Sequence, residues 1–188
     1  MTSFLTRPAL RLSAMLAAAL ALSACATSRS LDETFTDISA SSELRSVLFS
    51  DRTRDYSDVD ITIHEGRLML TGSMRSEDGR RQLIENAWKA RGVDQVIDEI
   101  FIGDKTPFGQ GFEDSRIDQV LRARLIAEAD VTSGNYKIAV SRGIVYLIGT
   151  ASSQAELDEA LRVASSISGV EKVVNHAALR DQVVQTPQ

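Results

Sequence analysis

Two stretches of this chain are versions of each other, and that repetition limits its fold more than any other feature. "DVDITIHEGRLMLTGSMRS" begins at Asp58 and "NYKIAVSRGIVYLIGTASS" at Asn135. Gly66 and Gly143, Gly72 and Gly149, and Gly92 and Gly169 keep the offset between those two starting points. So do Ile61 and Ile138, Ile63 and Val140, Leu70 and Leu147, Val93 and Val170, and Val96 and Val173. Upstream, Leu44 matches Leu121 and Leu48 matches Leu125. A spacing shared by so many glycine and apolar positions marks a duplication. The chain is therefore two copies of one small domain.

Each copy reads as helix, strand, strand, helix, strand. Ile117, Val120, Leu121 and Leu125 share one arc at the 3.6-residue period, as do Ala40, Leu44, Val47 and Leu48 in the first copy. Glu65-Gly66 and Arg142-Gly143 read as two-residue hairpin turns, glycine supplying the positive φ. That register sets Ile63 opposite Leu68, Ile61 opposite Leu70, Val140 opposite Val145 and Ile138 opposite Leu147. Apolar residues then meet on one face, as a buried face requires. Ser153 followed by Glu156 spells a capping box, whereas Ser76 in the first copy is followed by Gly79. Leu157, Ala160, Leu161 and Ala164 stripe one second helix; Leu83, Ile84 and Ala87 stripe the other. Gly92 and Gly169 are assigned to the C′ position that ends each helix, and "VDQVIDEIFI" and "VEKVVNHAAL" to third strands. The predicted class is α+β, two tandem domains, each with two helices on one face of a three-stranded mixed sheet.

The expected divisions are a first domain at 38–103, a linker at 104–114, a second domain at 115–180 and a mobile tail at 181–188. A domain of about 65 residues is near the lower limit for folding alone. Ile144, Tyr146 and Ile148 make one strand of the second copy apolar on both sides, with Met69 a modest counterpart in the first. This second face is expected to be covered by the partner domain; the competing reading is a few tolerated exposed side chains.

The front of the chain reads as a leader. Arg7 and Arg11 precede an apolar stretch from Leu12 to Leu22, and no acid occurs before Asp32. Residues 1–24 thus form a signal peptide, its apolar part too short to span a bilayer core of about 30 Å. Losing them removes two of the 21 basic residues and none of the 26 acids, so the net charge moves from −5 to −7. A chain this acidic is a poor ligand for nucleic acid, which is bound by neutralising phosphates. Cys25, the single cysteine, leaves the folded part without a disulfide or thiolate metal site.

Cys25 directly follows Leu-Ser-Ala, which resembles the bacterial lipobox. That resemblance implies cleavage before Cys25, a diacylglycerol thioether on its sulfur and an N-acyl chain such as palmitate on its amine. Ala26 in the next position implies sorting to the outer membrane, with residues 25–37 as a lipidated tether. Each buried methylene contributes about 0.8 kcal/mol and one chain anchors only marginally, so several chains are needed for lasting attachment. An ordinary signal peptide with a cysteine near its cleavage site is the competing reading.

The alternating strand, x-Gly turn, second strand ending in glycine, Ser-led helix and "GV" opening the last strand resemble the BON domain. "GVDQVIDEI" and "GVEKVVNHA" carry that passage, and the likeness covers about residues 38–180. Two copies behind a lipobox are similar to the dual-BON outer-membrane lipoproteins and, more distantly, to secreted BON proteins. The resemblance implies a non-enzymatic periplasmic protein without a cofactor beyond its covalent lipid. It implies binding of anionic phospholipid and support of envelope integrity under stress. It places lipid contact on the first helix of the second domain, with an exposed aromatic near its start. Arg116 stands where that aromatic is sought, and Phe108 and Phe112 precede it, so either the wedge has moved into the linker or the lipid role is weak. The candidate lipid-facing residues are Phe108, Phe112, Arg116, Gln119, Arg122 and Ile126, the last diametrically opposite Ile117. A solvated helix face is the competing reading. A second function also stays open, an envelope scaffold whose apolar second sheet face recognises a protein or self-associates.

Nothing in the chain spells a reaction. His64 and His176 have Ser141 and Glu99 as counterparts and no ligand cluster around them, so both are expected at the surface and no metal is expected. There is no G-x-S-x-G and no Gly-rich phosphate loop after a strand. Asp58 and Asp60 share a strand face, but Asn135 and Lys137 replace them in the second copy. Trp88 is expected to pack at the edge of the first core or between the domains.

Overall fold

The computed structural model describes Ser42, Arg45 and Ser46, which are helical, and residues 56–180. The leader, Cys25, the tether, the stripe residues Ala40, Leu44, Val47 and Leu48, and the tail lie outside the described residues. The first copy contributes β1 (Val59–His64), β2 (Arg67–Met74), α1 (Glu77–Ala87) and β3 (Gln95–Ile102). The second contributes α2 (Phe108–Ala127), β4 (Tyr136–Ser141), β5 (Ile144–Ala151), α3 (Gln154–Ser165) and β6 (Lys172–Leu179). The strands form two sheets, ordered β1-β2-β3 and β4-β5-β6. In each, the central strand pairs antiparallel with the first and parallel with the third.

The hairpins have the register that the glycine turns dictate. Ile63 pairs with Leu68 and Ile61 with Leu70; Val140 pairs with Val145 and Ile138 with Leu147. Glu65 and Gly66 have φ of 51° and 73°, Arg142 and Gly143 of 56° and 76°. Two successive positive φ values define the type I′ turn, whose twist matches that of the flanking strands. Each turn is tied to the strand entry across the sheet, Asp94 N–H donating to Gly66 O at 2.8 Å and Glu171 N–H to Gly143 O at 2.9 Å. Gly72 is required for a second reason. Its φ is 105°, and a Cβ there would fall 1.8 Å from Asp58 O.

Helices cover one face of each sheet. In the second domain Ile117, Leu121 and Leu125 of α2 and Leu157, Ala160 and Ala164 of α3 pack on Ile138, Val145 and Leu147. In the first domain Leu83 and Ala87 pack on Ile61, Ile63, Leu68 and Leu70. The duplication extends to side-chain contacts. Arg45 Nη2 donates to Ile61 O at 3.3 Å and Arg122 Nη2 to Ile138 O at 3.0 Å, donors and acceptors both being repeat equivalents.

The other faces meet each other. Met69, Ile97, Ala139, Tyr146 and Ile148 form one buried cluster with Ile144 and Val174 packed against it. The doubly apolar strand of the second copy is therefore covered by the first domain.

Four local expectations need correction. Gly92 and Gly169 do not occupy C′, because α1 and α3 end at C-caps Trp88 and Ser166. The chain continues through tighter turns, Ala90 N–H donating to Ala87 O and Ile167 N–H to Ala164 O, before either glycine is reached at φ 76° and 92°. The capping box is half formed. Ser153 Oγ accepts from Glu156 N–H at 3.2 Å, but the Glu156 carboxylate accepts from Ser152 and Thr132 N–H at 2.9 and 3.0 Å instead of from Ser153. Residues 108–114 of the expected linker are helical, since Pro107, which cannot continue a helix upstream of itself, stands at the N-cap. Trp88 is 52% exposed at the end of α1 and belongs to neither core.

The arc assigned to α2 is checked by two substitutions. Leu121→Ala is expected to cost about 3 kcal/mol in urea denaturation because it leaves a cavity. Ile126→Ala, on the opposite side, should change stability by less than about 0.5 kcal/mol.

Candidate functional site: the outward face of the long helix

α2 runs for 20 residues, about 30 Å at 1.5 Å per residue. Its inner stripe of Ile117, Leu121 and Leu125 is almost fully buried. Phe108, Phe112 and Ile126 are 93%, 65% and 73% exposed. Phe112 follows Phe108 by four residues and Ile126 follows it by 18, five full turns, so all three lie along one side. Gln119 lies between them and is exposed. The helix start at Phe108 therefore puts both phenylalanines on the helix itself, one and two turns ahead of Arg116.

The arginines behave differently from the phenylalanines. Arg116 Nε donates to Glu113 at 2.8 Å and its Nη2 to Ser168 O at 2.7 Å. Arg122 holds both oxygens of Asp118 at 2.8 Å while reaching Ile138 O. Arg124 donates to Ser166 Oγ at 3.2 Å. These side chains brace α2 against its own domain, and the helix carries three arginines against Glu113, Asp114 and Asp118. The outward ridge is apolar at the tips and electrically balanced along its flanks.

Asp114 fixes how the helix is rolled, and sequence reasoning missed it. Its carboxylate is buried and accepts from Arg142 N–H at 2.8 Å, Gly143 N–H at 2.9 Å and Gln110 Nε2 at 2.9 Å. One side chain thus satisfies the backbone of the β4–β5 turn. Asp37, its equivalent in the first copy, was the available signal.

The BON domain profile matches residues 36–104 and 113–181. This chain belongs to the BON domain family. It is 33% identical over 126 residues to the "Uncharacterized protein in gshII 5'region" of Anaplasma centrale, covering 66% of this chain and 83% of that one. It is 28% identical over 116 residues, 62% of this chain, to the outer membrane lipoprotein DolP of Haemophilus influenzae. It is also 28% identical over 121 residues, 63% of this chain, to the osmotically-inducible protein Y of Escherichia coli. The matched part spans 60% of each of those two relatives.

Within the BON pair, both histidines lie in the seam between domains; the expected surface placement fails for His64, whereas His176 keeps partial exposure. His64 is fully buried. Its Nε2 lies 3.2 Å from Thr150 Oγ1, whose hydroxyl donates to Glu65 Oε2 at 2.5 Å. The hydroxyl proton being committed to Glu65, Nε2 is the donor to Thr150. His176 Nε2 lies 2.8 Å from Glu99 Oε1. Arg67 donates Nη2 to His176 O at 2.5 Å, and burial lowers its pKa from the usual arginine value while Glu65 opposes that shift. The Arg142 guanidinium lies 4.4 Å above the Phe101 ring. The histidine positions faced the sheet side that the repeat left without helices, and that side is buried.

Two grooves of about 530 and 640 Å³ run beside the seam. The first has carboxylates already engaged, Asp58 accepting from Ser73 Oγ and Thr106 N–H, and Asp118 from Arg122. Among the described residues no group of three or more His, Cys, Asp or Glu side chains is placed to hold a metal ion, and no helix is long and apolar enough to cross a membrane.

Removing the Asp114 carboxylate strands two turn N–H groups. Asp114→Ala is expected to lower stability by about 2 kcal/mol. Amide exchange at Arg142 and Gly143 should rise more than at the distant β1–β2 turn.

Proposed function

We propose that this BON pair is a non-catalytic envelope protein, held at the outer membrane by lipid on Cys25 and facing the periplasm. In this reading it binds anionic phospholipid through the outward face of α2 and thereby supports envelope integrity. The observation that carries the reading is the ridge of Phe108, Phe112 and Ile126 on a helix whose opposite side is core. Exposing large apolar groups along one line is costly unless a nonpolar phase receives them. Full burial of one such side chain contributes about 1.5–3 kcal/mol, so partial insertion of three gives reversible attachment. A tethered module gains from that, because the anchor keeps the helix close to the surface. A relative named as an outer membrane lipoprotein and the Leu-Ser-Ala-Cys25 run support the location.

A second reading has one observation in its favour. Arg116 and Arg122 are engaged by Glu113 and Asp118, which leaves the ridge without an obvious preference for anions and equally suited to an apolar patch on another protein. The scaffold that uses the second sheet face is a different matter, since that face is occupied by the neighbouring domain.

Flotation with lipid vesicles separates these readings. The chain from residue 26 onward is expected to float with anionic vesicles; equal flotation with zwitterionic ones would assign attachment to the apolar tips and reject a preference for anions. Phe108→Ser combined with Phe112→Ser should reduce the floated fraction about tenfold, the equivalent of roughly 1.4 kcal/mol. These variants are cleaner than arginine reversals, because Arg116 and Arg122 also hold α2 to Ser168 O and Ile138 O. Absence of flotation with either vesicle type rejects the lipid reading. The anchor is checked separately on native membranes, where a high-salt wash should leave the protein in place, as screening removes charge-held proteins but not acylated ones.

A further inference from the structure

The two sheets meet through equivalent faces. Met69 and Tyr146 are repeat equivalents, as are Ile97 and Val174, and all four belong to one interdomain cluster. Strands β1 and β4, also equivalents, lie against each other. Glu99 and His176 keep the same repeat offset, and here the two side chains touch, at 2.8 Å. A position that touches its own equivalent lies on a two-fold axis, as in a symmetric dimer. The seam is thus an isologous interface inside one chain, with Glu99 and His176 on its axis.

The surroundings of His176 set the consequence of its protonation. From β3 it faces Glu99, with the two side chains 28% and 22% exposed. From β2 comes Arg67, bonded to the His176 carbonyl and electrostatically coupled to Glu65. From β5 comes Tyr146, whose hydroxyl ionises less readily because of burial and the nearby Glu99. α3 packs on β6 as well, on its core face. His64, further along the seam, is bonded to Thr150. Arg80, Asp98, Arg142 and Glu171 line the groove that Glu99 and Tyr146 share, so both signs of charge surround the pair and the Glu99 carboxylate is the one in contact with His176. A proton on His176 sets a positive charge beside the Glu99 carboxylate and turns their hydrogen bond, 2.8 Å long, into an ion pair. Histidine is the side chain that ordinarily makes this change between pH 5 and 8.

We propose that Glu99 and His176 form a pH-dependent latch on the pseudo-two-fold axis, closing the two BON domains more tightly when His176 carries a proton. The equivalence of the two positions provides the test. In the chain from residue 26 onward, Glu99→His and His176→Glu are made singly and together. The pH 5.5 urea midpoint of the wild type should exceed that of Glu99→Gln by more than it does at pH 8.0. Each single exchange should abolish that extra margin, and the double exchange should restore most of it, since each side chain then occupies the setting of the other. An exchanged pair no more stable than the weaker single variant overturns the latch, as does a margin over Glu99→Gln that is the same at pH 5.5 and pH 8.0.

Discussion

Met69, Ile97, Ala139, Tyr146 and Ile148 leave water together where two small sheets meet back to back. Each domain is near the size at which a single core scarcely compensates the entropy of folding. A shared second core enlarges the apolar area that each domain buries. It also commits each sheet to having helices on its outer side alone. α2 therefore lies against β4 with its far side in solvent, and the ridge of Phe108, Phe112 and Ile126 follows from that placement.

Polar groups give the contact its register. An apolar face can slide, whereas Thr150 between His64 and Glu65, Arg67 on the His176 carbonyl and Glu99 on the His176 ring fit in one alignment. A similar division of labour holds on α2. Leu121 and its neighbours provide the attraction to the sheet, while Asp114 and Arg122 determine how the helix is rolled. The aromatic tips of Phe108 and Phe112 stand in solvent.

Much of the architecture was legible in the residues. The constant offset between paired glycines identified two domains, and the glycine turns specified both hairpins, because a period-two pattern and a positive φ leave one register in which apolar residues coincide. The site was partly legible. Helical periodicity alone places Ile126 opposite Ile117, whereas the apolar stripe that marks the helix begins only at Ile117, which leaves Phe108 and Phe112 ahead of it. In the fold, the helix continues back to Pro107. Asp114 was hidden because its partners are backbone amides of a turn 28 residues later, which a reading of side-chain types does not register.

By itself, the sequence determined the duplication, the order of elements and which face of each strand and helix is apolar, since these depend on neighbours within a few residues. The tertiary structure decided which of those faces meet. His64 and His176 are ordinary residues on their own strands; packing of the sheets buried His64 and partly covered His176, and Glu99 found its own repeat equivalent only across the axis that packing created. Local periodicity records how a segment is oriented toward an interior, whereas the identity of what lies opposite depends on the whole chain closing on itself.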